Sequence, residues 1–231
     1  MPAPVVQIEA LSYAYPDGTP ALDGLSLTIR EGERVALLGN NGAGKSTLLL
    51  HLNGLLPSPQ VAVFGCRTSE KAALPLIRQK VGLVFQNPDD QLFCPTVAED
   101  VAFGPRNMRL PEGAVQERVA KSLAAVGIPP ELHRRSAFHL SPGQKKRVAL
   151  ATVLAMEAAV LVLDEPTSSL DLRGRRELAA LLENYHGTLL IATHDFAWAA
   201  TLCSRAVLLE QGRLLADGPT PEVIRQFEQL A

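Results

Sequence analysis

The run "GNNGAGKST" at 39–47 restricts this chain more than any other stretch, because it follows the apolar segment "RVALL" directly and leads straight into the helical pattern "STLLLHLNGL". It matches G-x-x-x-x-G-K-[ST] in the strand, loop and helix context that the pattern requires. Glycines let the backbone wrap with its N–H groups inward, and the start of the following helix adds positive potential, so the segment forms a cradle for phosphate. Asn40, Asn41, Gly42, Ala43 and Gly44 make the cradle and Thr47 closes it. Lys45 supplies a mobile charge for β- and γ-phosphates, and Ser46 offers a hydroxyl to Mg²⁺. The plain alternative is a glycine-rich turn that happens to contain a lysine, and the flanking strand and helix weigh against it.

Short apolar runs recur along the chain: "VGLVFQ" (81–86), "AVLVLDEP" (159–166), "TLLIATHD" (188–195) and "AVLLEQGRLLADG" (206–218). Helical patterns separate them, which argues for α/β alternation, and their unbroken apolar character suits parallel strands covered on both faces. The last run reads as a hairpin turning at Gln211-Gly212, while "VVQIEALSYAY" and "ALDGLSLTIREGE" read as an antiparallel edge layer. Between 87 and 157 only helix signals occur. Thr96 and Glu99 have capping-box spacing, and "PEGAVQERVAKSLAAVGI" (111–128) is an amphipathic helix ending at Gly127. The expected fold is therefore α/β: a P-loop NTPase core with a mainly parallel sheet, an N-terminal antiparallel β layer and a helical subdomain inserted at 87–157, all within one domain over 1–231. A chain of 231 residues is long enough for such a core.

A second chemical motif is "VLVLDE" (160–165), an apolar strand that ends in two acids. Beside a phosphate loop, Asp164 is placed to hold Mg²⁺ through water and Glu165 to take a proton from an attacking water. An ordinary strand-to-loop turn with exposed acids is the alternative. In "HLSPGQKKRVALATVLAM" (139–156), Ser141 is a good N-cap and Pro142 suits the first helical position. Lys145, Lys146 and Arg147 then fall in the first turns, where the helix dipole disfavours cations by roughly 0.3–1 kcal/mol per exposed residue. On position alone they read as solvated, with a nearby anion as the alternative.

Composition removes several functions. With 22 basic and 24 acidic residues the net charge is −2, so the global balance favours neither nucleic acid nor an anionic membrane. Cys66, Cys94 and Cys203 are odd in number and widely spaced, which points to neither a disulfide framework nor a zinc site and fits a reduced, cytosolic compartment. The N-terminus has no secretory pattern. The longest apolar region, 148–166, is interrupted by Thr152, Glu157 and Asp164 and falls short of the roughly 20 residues that span a bilayer. Any membrane role is expected to come through a partner.

Taken in order, these motifs resemble those of an ABC-transporter ATPase subunit, with "LSPGQ" (140–144) as the signature motif. The resemblance implies that Tyr15 stacks on adenine, with Tyr13 as the alternative. It puts Gln86 in reach of Mg²⁺ and attacking water, where it could otherwise merely cap a loop. His194 becomes a γ-phosphate contact rather than a satisfied buried histidine, and "SSLD" (168–171) a dimer-interface loop in which Asp171 equally suits a helix cap. The implied catalytic set is Glu165, His194, Lys45 and Gln86. Nucleotide contacts are Tyr15, the loop from Asn40 to Thr47, Ser141, Gly143 and Gln144, and the metal contacts are Ser46, Gln86 and Asp164. Two subunits, copies or paralogues, would close head to tail over two ATP molecules, each signature helix facing the other's phosphate loop. Pro142 departs from the usual glycine.

"VFQNPDDQLFCPTVAEDVAFGP" (84–105) and the paired lysines are most similar to the energy-coupling-factor group, the importers of cobalt, nickel and vitamins. That likeness implies a transmembrane coupling protein and a membrane-embedded substrate-binding component as partners, with the chain peripheral on the cytoplasmic face. Asp89, Asp90 and Gln91 become candidate contacts to coupling helices, against the reading of a solvated acidic loop. Another ABC importer or exporter class is the alternative function. An ABC ATPase acting on nucleic acid would carry a long coiled coil or basic surface, and a regulatory subunit without hydrolysis is at odds with Glu165 and His194.

Overall fold

Alternate residues of the central strands enter two different cores, which is why those strands read as unbroken apolar runs. The computed structural model describes residues 3–230. In chain order the elements are β1 (Pro4–Ala14), β2 (Pro20–Arg30), β3 (Arg34–Leu38), α1 (Lys45–Leu52), β4 (Val61–Val63), β5 (Cys66–Arg67), α2 (Leu74–Lys80) and β6 (Val81–Val84). Then follow α3 (Val97–Asn107), α4 (Glu112–Ala125), α5 (Pro142–Leu154), β7 (Val160–Asp164), α6 (Leu172–Glu183), β8 (Thr188–Thr193), α7 (Phe196–Leu202), β9 (Arg205–Glu210), β10 (Arg213–Pro219) and α8 (Thr220–Leu230).

A six-stranded sheet in the order β10-β9-β3-β8-β7-β6 is parallel except for β10, and an antiparallel sheet runs β2-β1-β4-β5. Val35, Leu37, Val160, Val162 and Leu190 face α1 and the antiparallel sheet, whereas Ala36, Leu38, Leu161, Leu163 and Ile191 face the helices from α3 onward. The strands β6 and β7 are parallel neighbours, with Val84 opposite Leu163, so α3, α4 and α5 make up the crossover between them. Thr96 caps α3 by accepting from the Glu99 N–H, and Gly127 takes φ +68° just past α4.

The expected hairpin turns where predicted. Gln211 and Gly212 have φ of +47° and +78°, the two left-handed positions of a type I′ turn. A Cβ on Gly212 would sit 2.7 Å from the Ala21 carbonyl, so the tip packs directly on β2, and the Gly212 N–H donates to the Ala43 carbonyl of the phosphate loop at 3.0 Å. The hairpin thus braces that loop from outside.

Arg34, at the start of β3, joins the ends of two helices. Its Nε donates to the Leu202 carbonyl at 2.9 Å, its Nη2 to Leu182 at 2.7 Å and its Nη1 to Tyr185 at 3.4 Å. Carbonyls at helix ends lack intrahelical partners, so the guanidinium satisfies groups that α6 and α7 leave open. Arg34→Met is expected to lower stability by about 2–4 kcal/mol, read as a fall in the urea midpoint. An unmoved midpoint would mean that water serves those carbonyls equally well.

Candidate active site

Four parallel strands deliver their following residues to one edge of the sheet, the usual ligand edge of such folds. In the spatial order β3, β8, β7, β6 these residues are Gly39, His194, Glu165 and Gln86. Asp164 ends β7 opposite Ala192, and Gln86 lies two residues past Val84, the register partner of Leu163.

The phosphate loop depends on glycine at two contacts. Gly39 at φ +147° and Gly44 at φ +102° would each drive a Cβ against a backbone carbonyl, Leu209 at 2.3 Å and Ala21 at 2.5 Å. Lys45 opens α1 with its ammonium buried, donating to the carbonyls of Gly39 (2.8 Å) and Asn40 (3.1 Å), and lies 3.8 Å from Glu165 Oε1. Burial pushes its pKa down, opposed by the charges of Glu165 and Asp164. Asn40 and Asn41 are exposed at the loop tip.

Asp164 and Glu165 are both buried. Burial raises the Asp164 pKa, a hydrogen bond from the Ser46 hydroxyl opposes this, and the neighbouring Glu165 charge adds to the rise. Asp164 Oδ1 and Glu165 Oε1 are buried without a hydrogen-bond partner among the described residues. Such oxygens are costly unless something satisfies them, and the hydroxyl of Ser46 with the carboxylate of Asp164 is a hard oxygen set. That set fits Mg²⁺, which keeps several waters and takes few protein ligands. No cluster of three His, Cys, Asp or Glu suited to a metal occurs among the described residues.

Glu165 itself is held firmly in a strained conformation. Its φ of +43° is left-handed, a cost of about 1–3 kcal/mol for a non-glycine residue. Its N–H donates to Ala192 at 2.8 Å, and its carbonyl accepts from the Ser168 N–H (3.1 Å) and hydroxyl (2.8 Å). Its Oε2 accepts from the Thr193 hydroxyl at 3.1 Å and lies 2.9 Å from His194 Nδ1. The His194 side chain is 63% exposed, which leaves its outer edge open to a ligand.

Tyr15 and Tyr13 are distinguished by exposure. Tyr15 presents an accessible ring, and its hydroxyl shares a hydrogen bond with Thr47 Oγ1 at 2.9 Å. Tyr13 is half-buried, edge-on to both Tyr15 and the buried His51. Of the two rings Tyr15 is thus the accessible one, and Tyr13 packs edge-on behind it.

At the signature helix, Ser141 and Gln144 form a full capping box. Ser141 Oγ accepts from the Gln144 N–H at 3.3 Å, and Gln144 Oε1 accepts from the Ser141 N–H at 2.9 Å. The Gln144 carboxamide is thus committed within its own helix, while Ser141 and Pro142 stay exposed.

The reading of the three cations as solvated needs correction. Lys145 pairs with Asp89 at 2.6 Å, Arg147 lies 3.7 Å from Glu177, and Lys146 is only 5% exposed. Lys146 shares a helix face with Ala149, Leu150 and Val153, the spacing that turns a side chain to the core. Gln91 also turns inward, accepting from the Phe85 N–H and donating to the Ala149 carbonyl and Thr152 hydroxyl, so of the three suggested partner contacts only Asp90 remains exposed and uncommitted. Asp171 caps α6 through the Gly174 N–H at 2.7 Å.

Sequence reasoning missed Thr193 and an exposed aromatic pair, Phe93 and Phe103, whose rings meet edge to face at 4.9 Å, and it placed Lys146 in solvent. Thr193 could have been found as the one polar residue closing an apolar strand, and Lys146 from its helical phase.

The model of the ABC transporter family matches residues 22–168. The chain is 49% identical over 230 residues to the energy-coupling factor transporter ATP-binding protein EcfA of Methanothermobacter thermautotrophicus, covering 97% of this chain and 74% of that protein. It superposes on cbiO1 of Clostridium perfringens, part of the ABC transporter complex cbiONQ, with a TM-score of 0.82 and 40% identity over 98% of this chain and 92% of the other. The dimeric post-hydrolysis structure of the ATP-binding cassette MJ0796 with ADP and Pi gives a TM-score of 0.85 at 26% identity, over 93% of this chain and 98% of that one. No helix among the described residues is long and apolar enough to cross a membrane.

Proposed function

The chain belongs to the ABC transporter family as an ATP-hydrolysing subunit, and from that premise we propose that it drives an importer of the energy-coupling-factor type for a metal ion or vitamin. The observation that carries the reading is the contact set at the sheet edge, where Glu165 meets Lys45 through one carboxylate oxygen and His194 through the other, beside the phosphate loop. The likenesses to EcfA and to cbiO1 support the importer branch.

Phosphoryl transfer is mostly positioning and charge stabilisation. ATP lies with its adenine on Tyr15 and its phosphates in the loop from Asn40 to Thr47, where the Lys45 ammonium leaves the Gly39 and Asn40 carbonyls for the β- and γ-phosphates. Glu165 takes a proton as water attacks the γ-phosphorus; the bond to the bridging oxygen breaks and ADP departs. His194, anchored to Glu165 through Nδ1, turns its exposed edge to the γ-phosphate, and Gln86 orients the water. Mg²⁺ bound by Ser46 and Asp164, with Gln86 nearby, would neutralise phosphate charge. Ser141 and Gly143 of a second subunit close over the nucleotide.

The membrane partners are a transmembrane coupling protein and a substrate-binding component, and they hold the chain at the cytoplasmic face. Asp90 and the exposed pair Phe93 and Phe103 support a contact there. Affinity purification from detergent-solubilised membranes is expected to recover an integral membrane protein that stimulates ATP turnover. Recovery of none would overturn the transport reading.

A further inference from the structure

Lys146 is a buried ammonium whose two hydrogen bonds go to uncharged oxygens. It donates to the Gln86 carbonyl at 2.6 Å and to Ser168 Oγ at 2.8 Å, and Ser168 Oγ in turn donates to the Glu165 carbonyl at 2.8 Å. Two neutral acceptors compensate poorly for taking a charge out of water, and an apolar side chain of similar length would serve packing better. Burial depresses its pKa, with Asp164 and Glu165 the charges that hold the ammonium form. Stability therefore does not explain the lysine.

Its position does. Lys146 lies five residues into α5, about 7.5 Å along the axis from the exposed Ser141. It holds the catalytic edge from either side: the Gln86 carbonyl directly, and the turn with Glu165 at φ +43° through the Ser168 hydroxyl. We propose that Lys146 is a positioning residue through which α5, when Ser141 engages the neighbouring subunit's nucleotide, sets the Glu165 turn and the Gln86 loop of its own subunit. The inference rests on the reading of Glu165 as the base. It assigns Lys146 no contact with nucleotide, so its loss acts on turnover and not on binding.

The test is ATP turnover, ATP affinity and thermal melting of the full chain. Lys146→Met is expected to lower kcat at least tenfold, with ATP Kd within threefold of native and no fall in melting temperature. Lys146→Gln, which keeps a long side chain with an N–H donor, should recover kcat to within about threefold. Combining Lys146→Met with Ser168→Ala should be no worse than Lys146→Met alone, because both break one relay. A native kcat in Lys146→Met overturns the proposal, as does a joint fall of kcat, affinity and melting temperature that Lys146→Gln does not rescue. Should Lys146→Met not fold, Ser168→Ala decides: kcat lowered threefold or more with affinity kept supports the relay, and unchanged kcat overturns it. Full turnover in Glu165→Gln would remove the base reading instead, so the two failures are separate.

Discussion

Glu165→Gln is expected to lower ATP turnover by about 10²–10⁴-fold, the range of a positioned general base, while ATP affinity stays native or tightens. The substitution keeps the shape of the side chain. A carboxamide oxygen at the Oε2 position still accepts from Thr193 and the His194 N–H, so the left-handed turn at φ +43° retains its anchors. Only proton acceptance and one negative charge are lost. That charge lies 3.8 Å from Lys45 and raises the pKa of Asp164, so its removal eases the approach of a triphosphate. Single-turnover hydrolysis beside a fluorescent-nucleotide titration separates the two effects. Turnover within tenfold of native would mean that another group, with His194 the nearest, takes the proton.

Much of this site is legible in sequence because its parts sit at strand ends. The runs 35–38, 160–163 and 189–192 are apolar throughout, so the polar residues that follow each mark one common edge of the sheet. The order of the strands is not legible in that way. Nothing local says that β8 inserts between β3 and β7, yet that order brings His194 to Glu165 at 2.9 Å. The burial of Lys146 in α5 is hidden from the sequence for a related reason. Dipole arguments assume an exposed side chain, whereas the Gln86 carbonyl and the Ser168 hydroxyl enclose the Lys146 ammonium, and only tertiary packing supplies them. Gln91 looked like part of an acidic surface loop until its carboxamide proved to bridge the Phe85 N–H and α5. The aromatic pair Phe93 and Phe103 joins residues ten apart across a helix start, and no periodicity links them.

Lys45→Met is expected to weaken ATP binding by about 10²-fold or more while leaving the fold intact. The ammonium donates to the carbonyls of Gly39 and Asn40. A triphosphate offers it charged acceptors in place of neutral ones, and charge-assisted hydrogen bonds of this kind contribute about 1.5–3 kcal/mol each. Methionine fills the same slot without a donor. The effect on stability follows from the signs of two pKa shifts. Lys45 lies below its ordinary value because burial disfavours the charged form, so at neutral pH its ammonium opposes folding. Asp164 lies above its ordinary value, so its carboxylate opposes folding at pH above that raised pKa, and Lys45 relieves part of that cost. Methionine removes the first penalty and enlarges the second, so at pH 7 the two changes act on the unfolding midpoint in opposite directions. At low pH, where Asp164 takes up its proton, the second penalty disappears and the variant should be at least as stable as the native chain. Urea unfolding at the two pH values, run beside the nucleotide titration, therefore reads phosphate binding and folding separately. Affinity within threefold of native in a folded Lys45→Met chain would take the phosphate role away from Lys45.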